Sequence, residues 1–267
     1  MAKRITGFLE WAAHYANIDM GCKHGCLYGF CQARAIRFDQ ATPASWTEPR
    51  PLKTKPWTKF KKKVEGRIAF PSSHDITAEN LERYLVVAES MLQAGNELLI
   101  VTKPHLDCVD RITRSLEPYK GQILFRFTIG SLDDATLKYW EPGAPNSQER
   151  LASMRLAYER GFKTSVSCEP LLAKDVEAVG EMVRTFKPFV TDSIWLGRAN
   201  KLKARVALNR PGDPMAMKSV EELEARWDDE HVRALYWTFK DDPIIKWKDS
   251  VKTIMGIPSQ EFAGQDI

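Results

Sequence analysis

The chain has no apolar run approaching the roughly 20 residues that carry a helix across a bilayer, so it offers no membrane span. The first 17 residues hold Lys3, Arg4 and Glu10 where a secretory leader would be continuously apolar, and the expectation is a cytoplasmic protein. Cysteine is scarce. Five in 267 residues are too few for a disulfide-stapled scaffold. Neither sign of charge prevails: 39 Lys and Arg stand against 35 Asp and Glu, a formal net charge of +4, so bulk electrostatics selects no partner. No repeat at a solenoid period, low-complexity tract or Gly/Ser/Pro linker interrupts the chain, which excludes an array of small modules. A hydrophobic content of 43% and a charged content of 28% are those of a folded globular protein.

What is present is alternation. Short apolar, β-branched runs at Tyr15 to Met20, Arg67 to Phe70, Glu97 to Thr102, Ile123 to Ile129, Thr164 to Cys168 and Ser193 to Leu196 are separated by longer amphipathic stretches. Helices are expected from Ala78 to Ala94 behind Thr77 and before Gly95, from Leu106 to Leu116, from Ser147 to Arg160, and from Lys174 to Phe186. Six successive βα units predict an α/β fold, a partial (β/α)6 TIM-like barrel over residues 1–204 with a cysteine loop at 21–34. An open doubly wound sheet is the other arrangement that fits. Residues 205–267 read as a helical extension packed on the barrel, with Trp227, Trp237 and Trp247 as packing residues.

Parallel strands aim their C-terminal ends at one rim, and polar residues directly after the strands are where chemistry is expected. Here they are the cysteine cluster, then Ser72, Ser73, His74 and Asp75, Lys103, Ser131 and Asp133, Glu169, and Arg198 with Asn200. One further segment departs from the alternation. Lys53, Lys55, Lys59, Lys61, Lys62 and Lys63, interleaved with Trp57 and Phe60, suit either a grip on a phosphate backbone or a solvated surface.

Cys22, Cys26 and Cys31 fall in one loop, with Gly21, Gly25 and Gly29 allowing tight turns. Thiolates are soft ligands for zinc, copper(I) or iron–sulfur clusters. A structural zinc needs a fourth protein ligand, for which His24 or His14 is available; a 4Fe–4S cluster on three cysteines instead leaves one iron open to a small molecule. A zinc knuckle commonly stands in for a missing core, which a long α/β chain does not need, so the placement favours iron–sulfur. The competing reading is a zinc-stabilised, non-catalytic nucleic-acid-binding protein using the lysine run.

Several motifs together resemble the radical S-adenosylmethionine (radical SAM) superfamily, in the branch similar to spore photoproduct lyase. They are Gly21-Cys22-Lys23-His24-Gly25-Cys26-Leu27-Tyr28 with Cys31, then Ala33-Arg34, Asp75, Thr102-Lys103-Pro104, Phe127 to Asp134, and Trp140-Glu141-Pro142-Gly143-Ala144-Pro145 followed by Glu149-Arg150-Leu151. The resemblance implies a partial barrel, a 4Fe–4S cluster on Cys22, Cys26 and Cys31, and S-adenosyl-L-methionine chelating the fourth iron. It also implies reductive cleavage of that cofactor to a 5′-deoxyadenosyl radical, which abstracts hydrogen from a substrate. The substrate stays unidentified, with nucleic acid among the classes admitted, and an electron donor such as flavodoxin or ferredoxin is implied. One departure stands out: the spacing is C-x3-C-x4-C, with Gly29-Phe30 where the usual C-x3-C-x2-C would already have its third cysteine.

Asp75, Ser131 and Glu169 are candidates for the cofactor's ammonium or ribose hydroxyls, and Lys103 and Arg198 for its carboxylate or an anionic substrate. Helix caps and loop hydrogen bonds are the alternative for the first three, Ser131 with Asp134 forming a capping-box pattern. Glu141 and Arg150 read as a structural pair. Cys168, at the end of a strand, is a catalytic candidate for returning a hydrogen atom to the substrate, set against simple packing; Cys108 reads as a buried hydrophobe.

Overall fold

The computed structural model describes residues 5–53 and 56–266. After strand β1 (His14–Tyr15) comes an antiparallel ribbon of β2 (Asp19–Met20) and β3 (Arg50–Pro51), which encloses the cysteine loop, helix α1 (Phe30–Arg37) and helix α2 (Pro43–Trp46). Regular alternation follows: β4 (Ile68–Ala69), α3 (Leu81–Gln93), β5 (Leu98–Thr102), α4 (Leu106–Ser115), β6 (Ile123–Thr128), α5 (Asp134–Trp140), α6 (Ser147–Glu159), β7 (Lys163–Cys168), α7 (Val176–Phe186) and β8 (Ile194–Leu196). The chain ends with α8 (Leu202–Asn209), α9 (Pro214–Arg226), α10 (Asp229–Phe239), β9 (Ile245–Trp247) and α11 (Asp249–Met255). Seven strands form one parallel sheet in the order β1-β4-β5-β6-β7-β8-β9. Among the described residues its edge strands do not pair, and the strands follow chain order without the reversal of a doubly wound sheet, so the fold is an α/β partial barrel, as the alternation predicts.

Three local expectations change. The stretch 15–20 divides, its start joining the sheet and its end forming the ribbon. The C-terminal segment is not wholly helical: Ile245-Lys246-Trp247 pairs in parallel with β8 as a seventh strand, too short to stand out between helices. Helix starts shift as well. Asn146, rather than Ser147, caps α6 by accepting from Glu149 N at 2.9 Å, and Asp133, rather than Ser131, caps α5.

The pleat sorts side chains into two layers. Ile123, Phe125 and Phe127 of β6 face the helices with Val166 of β7 and Ile194 of β8. Leu99, Leu124 and Trp195 face the interior, where Trp11 joins them. The Arg126 guanidinium lies 4.8 Å from the ring centre of Trp11 and 5.5 Å from that of Trp195, and pairs with Asp266 at 3.1 Å. The two terminal segments run together: Gly264 N donates to Leu9 O at 2.8 Å and Asp266 N to Glu10 O at 3.0 Å.

Trp227 and Trp247 are buried, whereas Trp237 is 62% exposed under the Lys240 ammonium, contrary to its expected packing role. In the lysine run Phe60 is buried, so it anchors the segment rather than offering a stacking face. The Asn96 amide, just ahead of β5, donates to Phe60 O at 2.9 Å and accepts from Val64 N at 2.9 Å. Lys61, Lys62 and Lys63 therefore lie where the strands begin, at the opposite end of the sheet from the cysteines. Lys55 and the Trp57 side chain lie outside the described residues. Among the described residues no helix is long and apolar enough to cross a membrane.

Candidate active site

The cysteine loop is fastened on both sides. Cys22 N donates to Trp46 O at 2.9 Å, Leu27 N to Trp140 O at 2.9 Å, and Gly143 N to His24 O at 3.0 Å. Gly21 adopts φ +101°, and a Cβ there would stand 2.6 Å from Trp46 O, so this turn accepts only glycine. Thus the Trp140 to Pro145 segment after β6 forms a cradle beneath the cysteines. The cradle is locked by a buried ion pair, Arg150 Nη2 to Glu141 Oε2 at 2.5 Å, by Arg150 donating to Pro145 O and Thr128 O, and by Tyr28 hydroxyl donating to Glu141. Glu141 and Arg150 are the structural pair expected from their sequence.

Cys22, Cys26 and Cys31 are half-buried free thiols. Burial pushes all three up, Cys22 to about 12 with the Asp75 charge adding, and Cys26 and Cys31 to about 11 against the nearby cations Lys103 and Arg34 respectively. They stay protonated unless a metal takes the proton's place. Cys31 Sγ lies 3.8 Å from Ser72 O.

A chain of titratable groups, which the sequence reading did not assemble, runs behind the loop. The buried His24 places Nδ1 3.3 Å from Asp75 Oδ2 and Nε2 3.1 Å from His105 Nε2. His105 Nδ1 is in turn 3.7 Å from Glu149 Oε1. Burial, and then the neighbouring His24, push the His105 pKa down. The single signal in the sequence was a histidine between the first two cysteines.

Asp75 is fully engaged by protein: Thr102 hydroxyl donates to Oδ1, and Lys103 N donates to Oδ2 at 2.8 Å. Burial works to raise its pKa, but His24, Lys103 and the Thr102 hydroxyl outweigh it and hold the group well below the usual carboxylate range. Its position thus matches the rim, and its hydrogen bonds are those of a loop organiser. Lys103 faces Cys26 and lies 5.6 Å from the centre of the Tyr28 ring. Burial opposes its charge, but Cys26, Glu141 and Asp75 together raise its pKa. Ser131 is buried, its Oγ accepting from Asp133 N at 3.0 Å.

Glu169 meets Lys248, which directly follows β9 and is missing from the rim read in the sequence because β9 was not foreseen. Lys248 Nζ lies 3.1 Å from Glu169 Oε2 and 2.7 Å from Glu10 Oε1, donates to Gly7 O at 2.9 Å and covers the Trp11 ring at 3.8 Å. Arg198 is tied elsewhere, to Asp229 at 2.9 Å and Trp227 O at 3.2 Å, beside a cavity of about 640 Å³. The structure does not bring it to the cysteines. Cys168 also changes place: it is fully buried on the helix-facing side of β7 with Val166, while Ser165 faces inward to Arg126. Its surroundings are those of the packing role, not of a hydrogen donor facing the barrel interior.

The donor set fits a soft-metal cluster. Both ring nitrogens of His24 are directed at Asp75 and His105, so His24 does not complete a zinc tetrahedron, and His14 Nε2 lies 3.0 Å from Glu65 O. Among the described residues no three His, Cys, Asp or Glu side chains converge on one ion. A 4Fe–4S cube takes one thiolate per iron and needs no such convergence.

No family model matches the chain. An uncharacterized protein, ORF301, of Acidianus two-tailed virus is 28% identical over 192 residues, 65% of this chain and 61% of the relative. The chain therefore spans about three fifths of that curated relative's length. Among solved structures, a double mutant of spore photoproduct lyase with bound AdoMet and dinucleoside spore photoproduct superposes with a TM-score of 0.54 at 16% identity, covering 86% of this chain and 74% of that one. SuiB of Streptococcus suis bound to S-adenosylmethionine gives 0.56 at 13% identity, over 96% of this chain and 55% of that one. SuiB bound to its precursor peptide SuiA gives 0.57 at 13% identity, over 96% and 54%. At these identities the likeness is one of fold. This fold is the partial barrel implied by the motifs.

Proposed function

We propose that the chain is a radical SAM enzyme, with Cys22, Cys26 and Cys31 holding a 4Fe–4S cluster whose open iron takes S-adenosyl-L-methionine. When bound, the pair supplies one-electron cleavage of a sulfonium and hence a carbon radical for hydrogen abstraction. The observation that carries this reading is three free thiols in one braced loop at the strand-end rim of a parallel partial barrel. Lys103, whose ammonium has no hydrogen bond or ion pair among the described residues, binds the cofactor's carboxylate. Glu169, held by Lys248, and the Ser131 hydroxyl orient its ammonium or ribose. Asp75 and His24 set the backbone from which Lys103 and Cys22 project.

The related folds carry a dinucleoside in one case and a peptide in the other, so the fold selects neither as substrate. A low-potential carrier such as flavodoxin or ferredoxin supplies the electron. Protein reconstituted without oxygen is expected to hold about four irons per chain, to be brown and bleach on reduction, and to release 5′-deoxyadenosine. Stoichiometric zinc with no iron uptake overturns the reading.

A further inference from the structure

The two residues that lengthen the cysteine loop, Gly29 and Phe30, are met by helix α8, which lies outside every motif recognised in the sequence. Asn209, the last residue of α8 and fully buried, donates through Nδ2 to Leu27 O at 2.9 Å and to Gly29 O at 3.0 Å. Its neighbour Arg210 reaches Gly25 O at 3.4 Å. One turn earlier on the same face, the Arg205 guanidinium covers the Phe30 ring at 5.3 Å, next in sequence to Cys31. The Asn209 Oδ1 has no hydrogen-bond partner among the described residues, while its Nδ2 serves two loop carbonyls. Gly29 sits tightly in this arrangement: a Cβ would lie 3.0 Å from Cys26 O and 3.4 Å from Gln32 Cβ.

We propose that Asn209 is a positioning residue for the cysteine loop, and that α8 is the clamp that lets C-x3-C-x4-C spacing present its three thiols as one set. The inference rests on the iron–sulfur reading above. It changes the meaning of the extra residues: they are a contact surface for the C-terminal segment, not an impairment of the loop. A loop two residues shorter loses the Gly29 carbonyl that Asn209 holds.

The decisive experiment measures the alkylation rate of each cysteine by N-ethylmaleimide and mass spectrometry in metal-free, folded protein. In Asn209→Ala, Cys26 and Cys31, which flank the clamped carbonyls, are expected to react about tenfold faster, while the core residues Cys108 and Cys168 keep their wild-type rates. A general rise at all five cysteines means loss of fold, and overturns a specific clamp. After reconstitution, Asn209→Ala is expected to hold less iron and to give an altered electron paramagnetic resonance signal in the reduced state. Deleting Gly29 and Phe30 is expected to lower iron content. Unchanged rates at Cys26 and Cys31, or a deletion that gains iron, overturns the proposal. Should wild-type protein take up no iron at all, the enzyme reading fails, whereas the alkylation rates still decide the clamp.

Discussion

The barrel has two charged regions, one where the strands begin and one where they end, and they are finished differently. At the beginning, Arg126 is fully buried yet surrounded by partners: Asp266 lies at 3.1 Å, Asp192 at 3.4 Å and Ser165 Oγ at 2.9 Å, with two tryptophan rings alongside. At the strand ends, three thiols are free and the Lys103 ammonium, which has no hydrogen bond or ion pair among the described residues, lies 5.6 Å from the Tyr28 ring centre and feels Asp75 and Glu141 from farther off. Buried charge is tolerated where it is paired, and an unpaired cation beside free thiols is poorly explained by stability alone. One region is built to stand and the other to receive a ligand.

The contrast breaks most visibly at a cysteine. Cys26→Ala is expected to abolish cofactor cleavage and to reduce iron content sharply, while the unfolding free energy of the metal-free protein moves by no more than about 1 kcal/mol. A thermal melt and an iron assay on the same preparation check both halves. The opposite pattern is expected at the other end. Arg126→Leu leaves Asp266 to Arg67 alone, at 2.6 Å, and uncovers two tryptophan faces, costing about 2–3 kcal/mol, or roughly 5–10 °C in melting temperature. Its iron content per folded chain stays that of the wild type. If Arg126→Leu melted like the wild type, the division into a structural end and a binding end would lose its basis.

Lys103→Met sharpens the comparison from the receiving side. Lys103 has no ion pair among the described residues, and Asp75 keeps its bonds from the Thr102 hydroxyl and the backbone N–H of residue 103, so metal-free stability is expected to fall by no more than about 1 kcal/mol. Affinity for S-adenosylmethionine, measured by titration calorimetry on reconstituted protein, is expected to fall about 10- to 100-fold. A loss of stability with full affinity would move Lys103 to the structural class.

The division was partly legible beforehand. The alternation of short apolar runs with longer amphipathic stretches exposed the strands from β4 to β8 and the helices between them, because each run is bounded by polar or turn residues. The rim followed from strand ends alone, which is how Asp75, Lys103 and Glu169 came into view. Three-residue β9 carries too little pattern to announce itself, and Lys248 stayed hidden with it. Partners distant in sequence were equally invisible: nothing local to Asn209 points 180 residues back to Gly29. Cys168 was misplaced for a different reason, since a strand-end position does not specify a face, and a shift of one residue exchanges cavity for core.

The smallest effect concerns pH, at a histidine that belongs to the binding end but is wired like the structural one. His74 Nε2 accepts from Ile18 N at 3.1 Å and Asp19 N at 3.3 Å, and its Nδ1 lies 3.0 Å from Asp75 O, to which it must donate. This pattern uses one lone pair and one N–H, so only the neutral ring satisfies it. Burial is the main cause that pushes its pKa below the ordinary histidine value, with Asp19 and Asp75 opposing. Between the depressed folded value and the unfolded value of about 6.5, the unfolded chain binds more protons. His74's contribution to stability is therefore complete above about pH 6.5 and declines as pH falls toward the folded pKa. Melting temperatures of metal-free protein from neutral to mildly acidic pH are expected to drop more steeply for the wild type than for His74→Gln, whose amide can accept from the same backbone groups without titrating. The other four histidines are common to both proteins and cancel in the difference. Parallel slopes would show that the His74 ring is not held neutral by the backbone of the ribbon.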